Sequence, residues 1–179
     1  LPIPNGWEPF KASLLELLDD QHLDFRGASV TIPHKENLLR LAQEDRSRNW
    51  TIEASARIAG AANTLTVTDD GICVVSNTDI AGIREPLHAI FTEDRPLSEQ
   101  SVGIVGAGGA ARAALAALID ADASVVIVNR NRERAEAMLE SILDAHIDAP
   151  GPPKASVATF EECRDLSISL WINCTPVGL

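Results

Sequence analysis

Tyrosine is absent from this 179-residue chain, methionine occurs once, and aromatic residues make up only 4%. The three tryptophans, Trp7, Trp50 and Trp171, read as packing groups rather than a stacking platform. Basic residues are scarce as well: Lys plus Arg total 15 against 26 Asp plus Glu, a formal net charge of -11. That balance excludes a general nucleic-acid or anionic-membrane surface, so any phosphate site must be local. Cysteine is limited to Cys73, Cys163 and Cys174, widely spaced, with no CxxC or Cys/His array. A stapled scaffold and a zinc site are therefore not expected, and the three read as buried thiols in a reducing cytoplasm. His22, His88 and His146 likewise lack ligand spacing, so no metal is expected. No apolar run approaches the roughly 18 residues of a membrane span, and Leu1 is followed by Pro-Ile-Pro rather than a basic signal sequence. What remains, 45% hydrophobic and 23% charged residues without repeats or low-complexity tracts, suits one globular unit or two small lobes.

A segment rich in turn formers and charges, Thr92 to Gln100, is the expected boundary, giving lobes over residues 1–97 and 98–179. In the first lobe Phe10, Leu14, Leu17 and Leu18 recur at helical spacing. Ser29 to Ile32 alternates as a short strand with Val30 and Ile32 toward the core, and Pro33 stops it. Helices are expected over Glu36 to Ala42 and Ile52 to Ala59, the latter ended by Gly60. Leu65 and Val67, then Ile72 to Val75, flank the hairpin signal Asp69-Asp70-Gly71, and Ile80, Ile83, Leu87 and Ile90 trace a further helix. The second lobe alternates buried strands with helices, as parallel βαβ units do. Its strands are expected at Ser101 to Val105, Val125 to Val128 and Leu170 to Cys174. Helices are expected at Ala110 to Ala121 and Asn131 to Leu143, and residues 149–153 form a rigid loop.

Gly106, Ala107, Gly108, Gly109, Ala110 and Ala111 follow a strand and open a helix, the context required of a G-x-G-x-x-G/A dinucleotide fingerprint. Gly106 permits the tight turn, Gly108 removes a side chain that would block a pyrophosphate, and Ala111 lets the helix pack closely. An NAD-preferring site places Asp or Glu about 20 residues further on, at the end of the second strand. This chain has Asn129-Arg130-Asn131-Arg132-Glu133-Arg134 there. Guanidinium groups at that point can clamp a 2'-phosphate by bidentate bonds, which predicts NADP as cofactor. The alternative is a solvated helix start whose arginines are neutralised by Glu133 and Glu136.

Three polar residues stand at the ends of patterned elements: Lys35 after the strand, Asn63 after Gly60-Ala61-Ala62, and Asp79 after Ser76-Asn77-Thr78. Hydride transfer to a ketone needs a proton for the developing alkoxide, which a Lys beside an Asp can supply. Singly, each also fits a solvated or capping role, and Asp79 is a good N-cap candidate. His34 has no partner at triad spacing and is not expected to be catalytic.

These segments together resemble the shikimate dehydrogenase family: Ser29-Val30-Thr31-Ile32-Pro33-His34-Lys35-Glu36, Gly60-Ala61-Ala62-Asn63-Thr64, Asn77-Thr78-Asp79, the glycine loop, Asn129-Arg130, and Asn173-Cys174-Thr175-Pro176-Val177-Gly178. The first is similar to the version fused to 3-dehydroquinate dehydratase in plants and fungi. The resemblance implies an α/β substrate lobe followed by a Rossmann-like NADP lobe. It also implies NADP-dependent, reversible reduction of 3-dehydroshikimate to shikimate in aromatic amino-acid biosynthesis. By that resemblance Lys35 is the acid/base, Asp79 its partner, and Thr31 and Asn63 ligands of substrate hydroxyls. Gly106, Ala107, Gly108, Gly109 and Ala110 match the pyrophosphate loop, and Asn129, Arg130, Asn131 and Arg134 the 2'-phosphate motif, in which Asn131 replaces a Thr. The family opens with a Ser-x-Ser carboxylate site, roughly 30 residues that would precede Leu1, and continues past Thr175-Pro176-Val177-Gly178. An internal fragment, inactive or barely active, is therefore expected, with both lobes incomplete. A quinate dehydrogenase and a non-catalytic regulatory domain of the same family are the alternatives.

Overall fold

The computed structural model describes residues 2–146 and 154–177, and its contacts separate two compact units that meet at Thr78 and Asp79. The division falls before the charged 92–100 segment, because helix α4 (Asp79–Ile90) contributes Leu87 and, just beyond it, Phe91 to the second unit's core.

In the first unit, helix α1 (Trp7–Asp19) buries Phe10 and Leu14, four residues apart and so on one face. Helix α2 (Lys35–Glu44) buries Leu38, Leu39, Leu41 and Ala42. Helix α3 (Ala54–Ala59) ends at Gly60 in the left-handed conformation common at helix C-termini. Strands β1 (Gly27–Ser29), β2 (Trp50–Ile52), β3 (Thr64–Val67) and β4 (Cys73–Ser76) form one sheet in the order β1-β3-β4-β2. Both of β3's pairings, with β1 and with β4, are antiparallel, whereas β2 runs parallel to β4. Phe10, Leu38, Leu41, Leu65 and Val75 are the centre of the core.

Three expectations change here. The strand expected over Ser29 to Ile32 ends its pairing at Ser29, and the Thr31–His34 turn that follows leaves Ile32 52% exposed instead of facing the core. Pro33 offers no N–H to extend the ladder. Strand β2 was not foreseen, and it takes Ile52 from the helix expected to begin there, since Ile52 pairs with Val75. The burial expected of all three cysteines holds for Cys73 alone; Cys163, in a short turn of 3-10 helix, and Cys174 are half-buried, and no disulfide joins them.

In the second unit, β5 (Ser101–Val105), β6 (Ser124–Val128), β7 (Ala155–Ala158) and β8 (Leu170–Asn173) are all parallel, in the order β7-β6-β5-β8. Along the chain this is third, second, first, fourth, the order of one half of a doubly wound nucleotide-binding sheet with its continuation started. Helices α5 (Gly109–Asp120) and α6 (Arg132–Ala145) link the strands. Leu115 and Leu118 of α5 and Met138 and Ile142 of α6 pack against Val102, Ile104, Val125 and Ile127. Strand β7 was not foreseen either, and the expected 149–153 loop lies outside the described residues. Trp171 covers Gly103, where a Cβ would come within 2.2 Å of its ring, yet it remains 45% exposed. Among the described residues no helix is long and apolar enough to cross a membrane.

Candidate functional site

Backbone hydrogen bonds draw three first-unit segments together. The Val30 N–H donates to Asn63 O at 2.7 Å, the Ala62 N–H to Lys35 O at 2.9 Å, and the Asn63 N–H to Ser76 O at 3.0 Å. Thr31, Lys35 and Asn63 thus share one region of the unit although up to 32 positions separate them in sequence. Two buried or half-buried polar residues reinforce it. Asn77 donates from Nδ2 to Ala61 O at 2.9 Å, and its N–H donates to Ser55 Oγ at 3.0 Å. Neither Ser55 nor Asn77 was singled out by sequence reasoning, because a polar residue beside a turn carries no local sign of whom it will bond.

Lys35 is the first residue of α2 and half-buried, while Thr31 lies exposed in the turn before it. His34 immediately precedes the helix and is only 6% exposed. Its ring stacks on Phe10 at 4.9 Å, Nδ1 lies 3.1 Å from Asn37 Nδ2, and Nε2 lies 3.3 Å from Ile3 O. A carbonyl oxygen only accepts, so Nε2 carries the proton and Nδ1 accepts from the Asn37 amide. These contacts tie the start of α2 to Ile3 and Phe10. Asn63 is buried; its Oδ1 receives the Thr78 N–H at 3.0 Å and the Thr64 hydroxyl at 2.9 Å. Asp79 opens the second unit as the first helical residue of α4 rather than the residue before it, so its carboxylate lies in the first turn, where the helix dipole favours a negative charge.

The glycine loop follows β5 directly. Gly106 adopts φ +119°, a conformation that favours glycine, donates its N–H to Val128 O at 2.8 Å, and is closely approached, since a Cβ would stand 3.1 Å from Cys174 O. Beside Gly108 a Cβ would meet nothing within 4 Å. Open space there, the uncapped N–H groups at the start of α5, and a position outside the carboxyl ends of β5 and β8, where the strand order reverses, fit a diphosphate group. Ala111 is fully buried against the sheet.

The basic segment after β6 is built around the start of α6. Asn131 caps the helix, accepting the Arg134 N–H on Oδ1 at 2.9 Å, and Asn129 Nδ2 donates to Asn131 O at 2.8 Å. Arg134 reaches back to the glycine loop and donates from Nε to Ala107 O at 3.0 Å. The three arginines of the segment differ in their surroundings. Arg132 pairs with Glu136 at 2.8 Å and lies 3.8 Å from Glu162, so its charge is met by carboxylates. Arg130 is exposed.

A sequence model of the shikimate / quinate 5-dehydrogenase family matches residues 88–150. The shikimate dehydrogenase (NADP(+)) of Magnetococcus marinus is 37% identical over 161 residues, covering 88% of this chain and 51% of its own length. The chain spans about half the length of the curated relatives it matches. Among solved structures, the shikimate 5-dehydrogenase of Thermus thermophilus in complex with NADP(H) and shikimate superposes with a TM-score of 0.68 at 28% identity, covering 98% of this chain and 56% of that one. The quinate dehydrogenase of Corynebacterium glutamicum in complex with NAD gives 0.71 at 25% identity, covering 93% and 54%.

Proposed function

Since the chain belongs to the shikimate dehydrogenase family, we propose that it carries the catalytic and nucleotide-binding residues of an NADP-dependent oxidoreductase that interconverts 3-dehydroshikimate and shikimate in aromatic amino-acid biosynthesis, in the cytoplasm. The observation that carries the cofactor choice is the segment after β6. No carboxylate stands at positions 129–132, directly after the strand, for a ribose 2'-hydroxyl, and Arg134 joins that segment to the glycine loop through Ala107 O. Ala107, Gly108, Gly109 and Ala110 take the pyrophosphate on backbone N–H groups, and Gly106, whose own N–H is held by Val128 O, makes the turn that presents them. Asn129, Arg130, Asn131 and Arg134 take the 2'-phosphate, the guanidinium groups by charge-assisted bonds.

When bound, NADPH supplies hydride to the substrate's carbonyl carbon. Lys35 gives a proton to the carbonyl oxygen as the alkoxide develops and recovers it in the reverse direction. The same reading gives Asp79, the first residue of α4, an acid/base role in that exchange. Thr31 and Asn63 bind ring hydroxyls, and the hydrogen bonds that immobilise Asn63 keep it oriented before a ligand arrives.

Steady-state assays with shikimate and quinate, each paired with NADP and NAD, test the reading. Preference for shikimate with NADP supports it, whereas preference for quinate with NAD moves the protein to the neighbouring activity in the same fold. Lys35→Ala separates an enzyme from a sensing domain. An acid/base role predicts a loss in kcat of about 100-fold or more with NADP affinity within a factor of about two; an unchanged rate removes Lys35 from the chemistry.

A further inference from the structure

The carboxamide of Asn63 is buried, with 9% of the residue exposed, and its oxygen and amino group are close in size, so packing alone does not decide which points where. Backbone chemistry does decide it. The Thr78 N–H can only donate, so the atom it meets at 3.0 Å is Oδ1. The Thr64 hydroxyl donates to the same oxygen at 2.9 Å. Thr78 Oγ1 lies 3.2 Å from that oxygen and 3.1 Å from Nδ2, whose N–H it accepts. One residue therefore grips both ends of the carboxamide, through its backbone N–H and its hydroxyl.

A carboxamide oxygen has two lone-pair directions, and here both are engaged by protein donors. We infer that Thr78 is a positioning residue that, through Asn63, makes this point of the site a hydrogen-bond donor, so that the ligand oxygen bound there must act as an acceptor. The inference rests on the reading of Asn63 as a substrate ligand. It adds a direction to that contact: the ring hydroxyl at Asn63 receives a hydrogen bond and gives its own proton elsewhere.

Three variants of the chain test it. In the ligand-free protein, exchange of the Asn63 side-chain amide protons, followed by NMR, should quicken about tenfold in Thr78→Val, which loses the acceptor for Nδ2, and stay within about twofold of wild type in Thr78→Ser, which keeps it. Titration with shikimate should give a dissociation constant about fivefold weaker for Thr78→Val and restored in Thr78→Ser. Asn63→Asp puts an anionic oxygen where the amino group stands, and binding should weaken about 50-fold or more. Unchanged amide exchange in Thr78→Val, or shikimate binding by Asn63→Asp within about threefold of wild type, overturns the inference. Thr78→Ala, measured alongside with circular dichroism, serves if the valine variant does not fold. A wild-type protein that ignores shikimate would instead count against the proposed function, while the exchange measurement still decides the role of Thr78.

Discussion

Asp45 shows what a single carboxylate does for the first unit. It follows α2 and accepts the Ser47 N–H at 2.9 Å, the Ser47 hydroxyl at 2.6 Å, the Trp50 indole at 2.8 Å and Arg48 at 3.2 Å; Arg48 also pairs with Asp19 at the end of α1. Burial pushes its pKa upward, but the hydrogen bonds from the Ser47 hydroxyl, the Trp50 indole, the Ser47 amide and Arg48 outweigh that and hold the carboxyl well below the usual carboxylate range. A depressed folded-state pKa means the stabilisation is complete above the unfolded value and is lost as pH falls through the folded one. Asp45→Ala should therefore destabilise the protein by about 3 kcal/mol at neutral pH, by urea denaturation, because Arg48 and the Trp50 N–H lose a charged partner. The gap from wild type should narrow once pH drops below about 4, where the unfolded carboxylate is already protonated. None of this network shows in the sequence, where Asp45 is one acid in a charged stretch. Lys35, Asn63 and Asp79 were legible as candidates because each closes or opens a patterned element. Which way the Asn63 amide faces was not legible, since it depends on Thr78, fifteen positions away.

Elements with long buried runs were readable, and two of the short ones were not. Strands β5 and β6 are continuous apolar runs, and the Ala- and Leu-rich helix α5 stands out by composition. By contrast β2 has three residues and β7 four, each identified as a strand by a parallel neighbour, β4 or β6, that local patterning does not reveal. The start of α6 carries the clearest prediction at this level. Arg130→Ala should weaken NADP about tenfold and leave NAD within about twofold, since only the former has the 2'-phosphate. Arg132→Ala should leave both within about twofold, its charge being already met by Glu136 and Glu162. Arg134→Ala should weaken both cofactors, because it also frees Ala107 O in the pyrophosphate loop. Fluorescence titration with each nucleotide checks all three, and a strong NADP defect in Arg132→Ala would show that the ion pairs open for the ligand.

Over the whole chain the charge is spread rather than concentrated. Residues 1–97 carry 9 basic against 15 acidic side chains, and residues 98–179 carry 6 against 11, so each part is acidic. Solubility should pass through a minimum near the isoelectric point, about 4.7, measurable by light scattering across pH; a minimum above 6 would point to acids held protonated. Against this background the 2'-phosphate site proposed at Arg130 and Arg134 is a local basic feature. Amino-acid order alone specified the α/β class, the glycine loop with its missing acid, and the lysine at a strand-to-helix junction. These signals are carried by near neighbours, as periodicity, turn chemistry and spacing. The pairing of β2 and β7, the assignment of α4 to the second core, the diversion of Arg132 and the orientation of Asn63 came from the folded chain. Each is settled by which distant group satisfies a buried donor, acceptor or apolar face, and that is a property of the packed structure, not of any stretch of sequence.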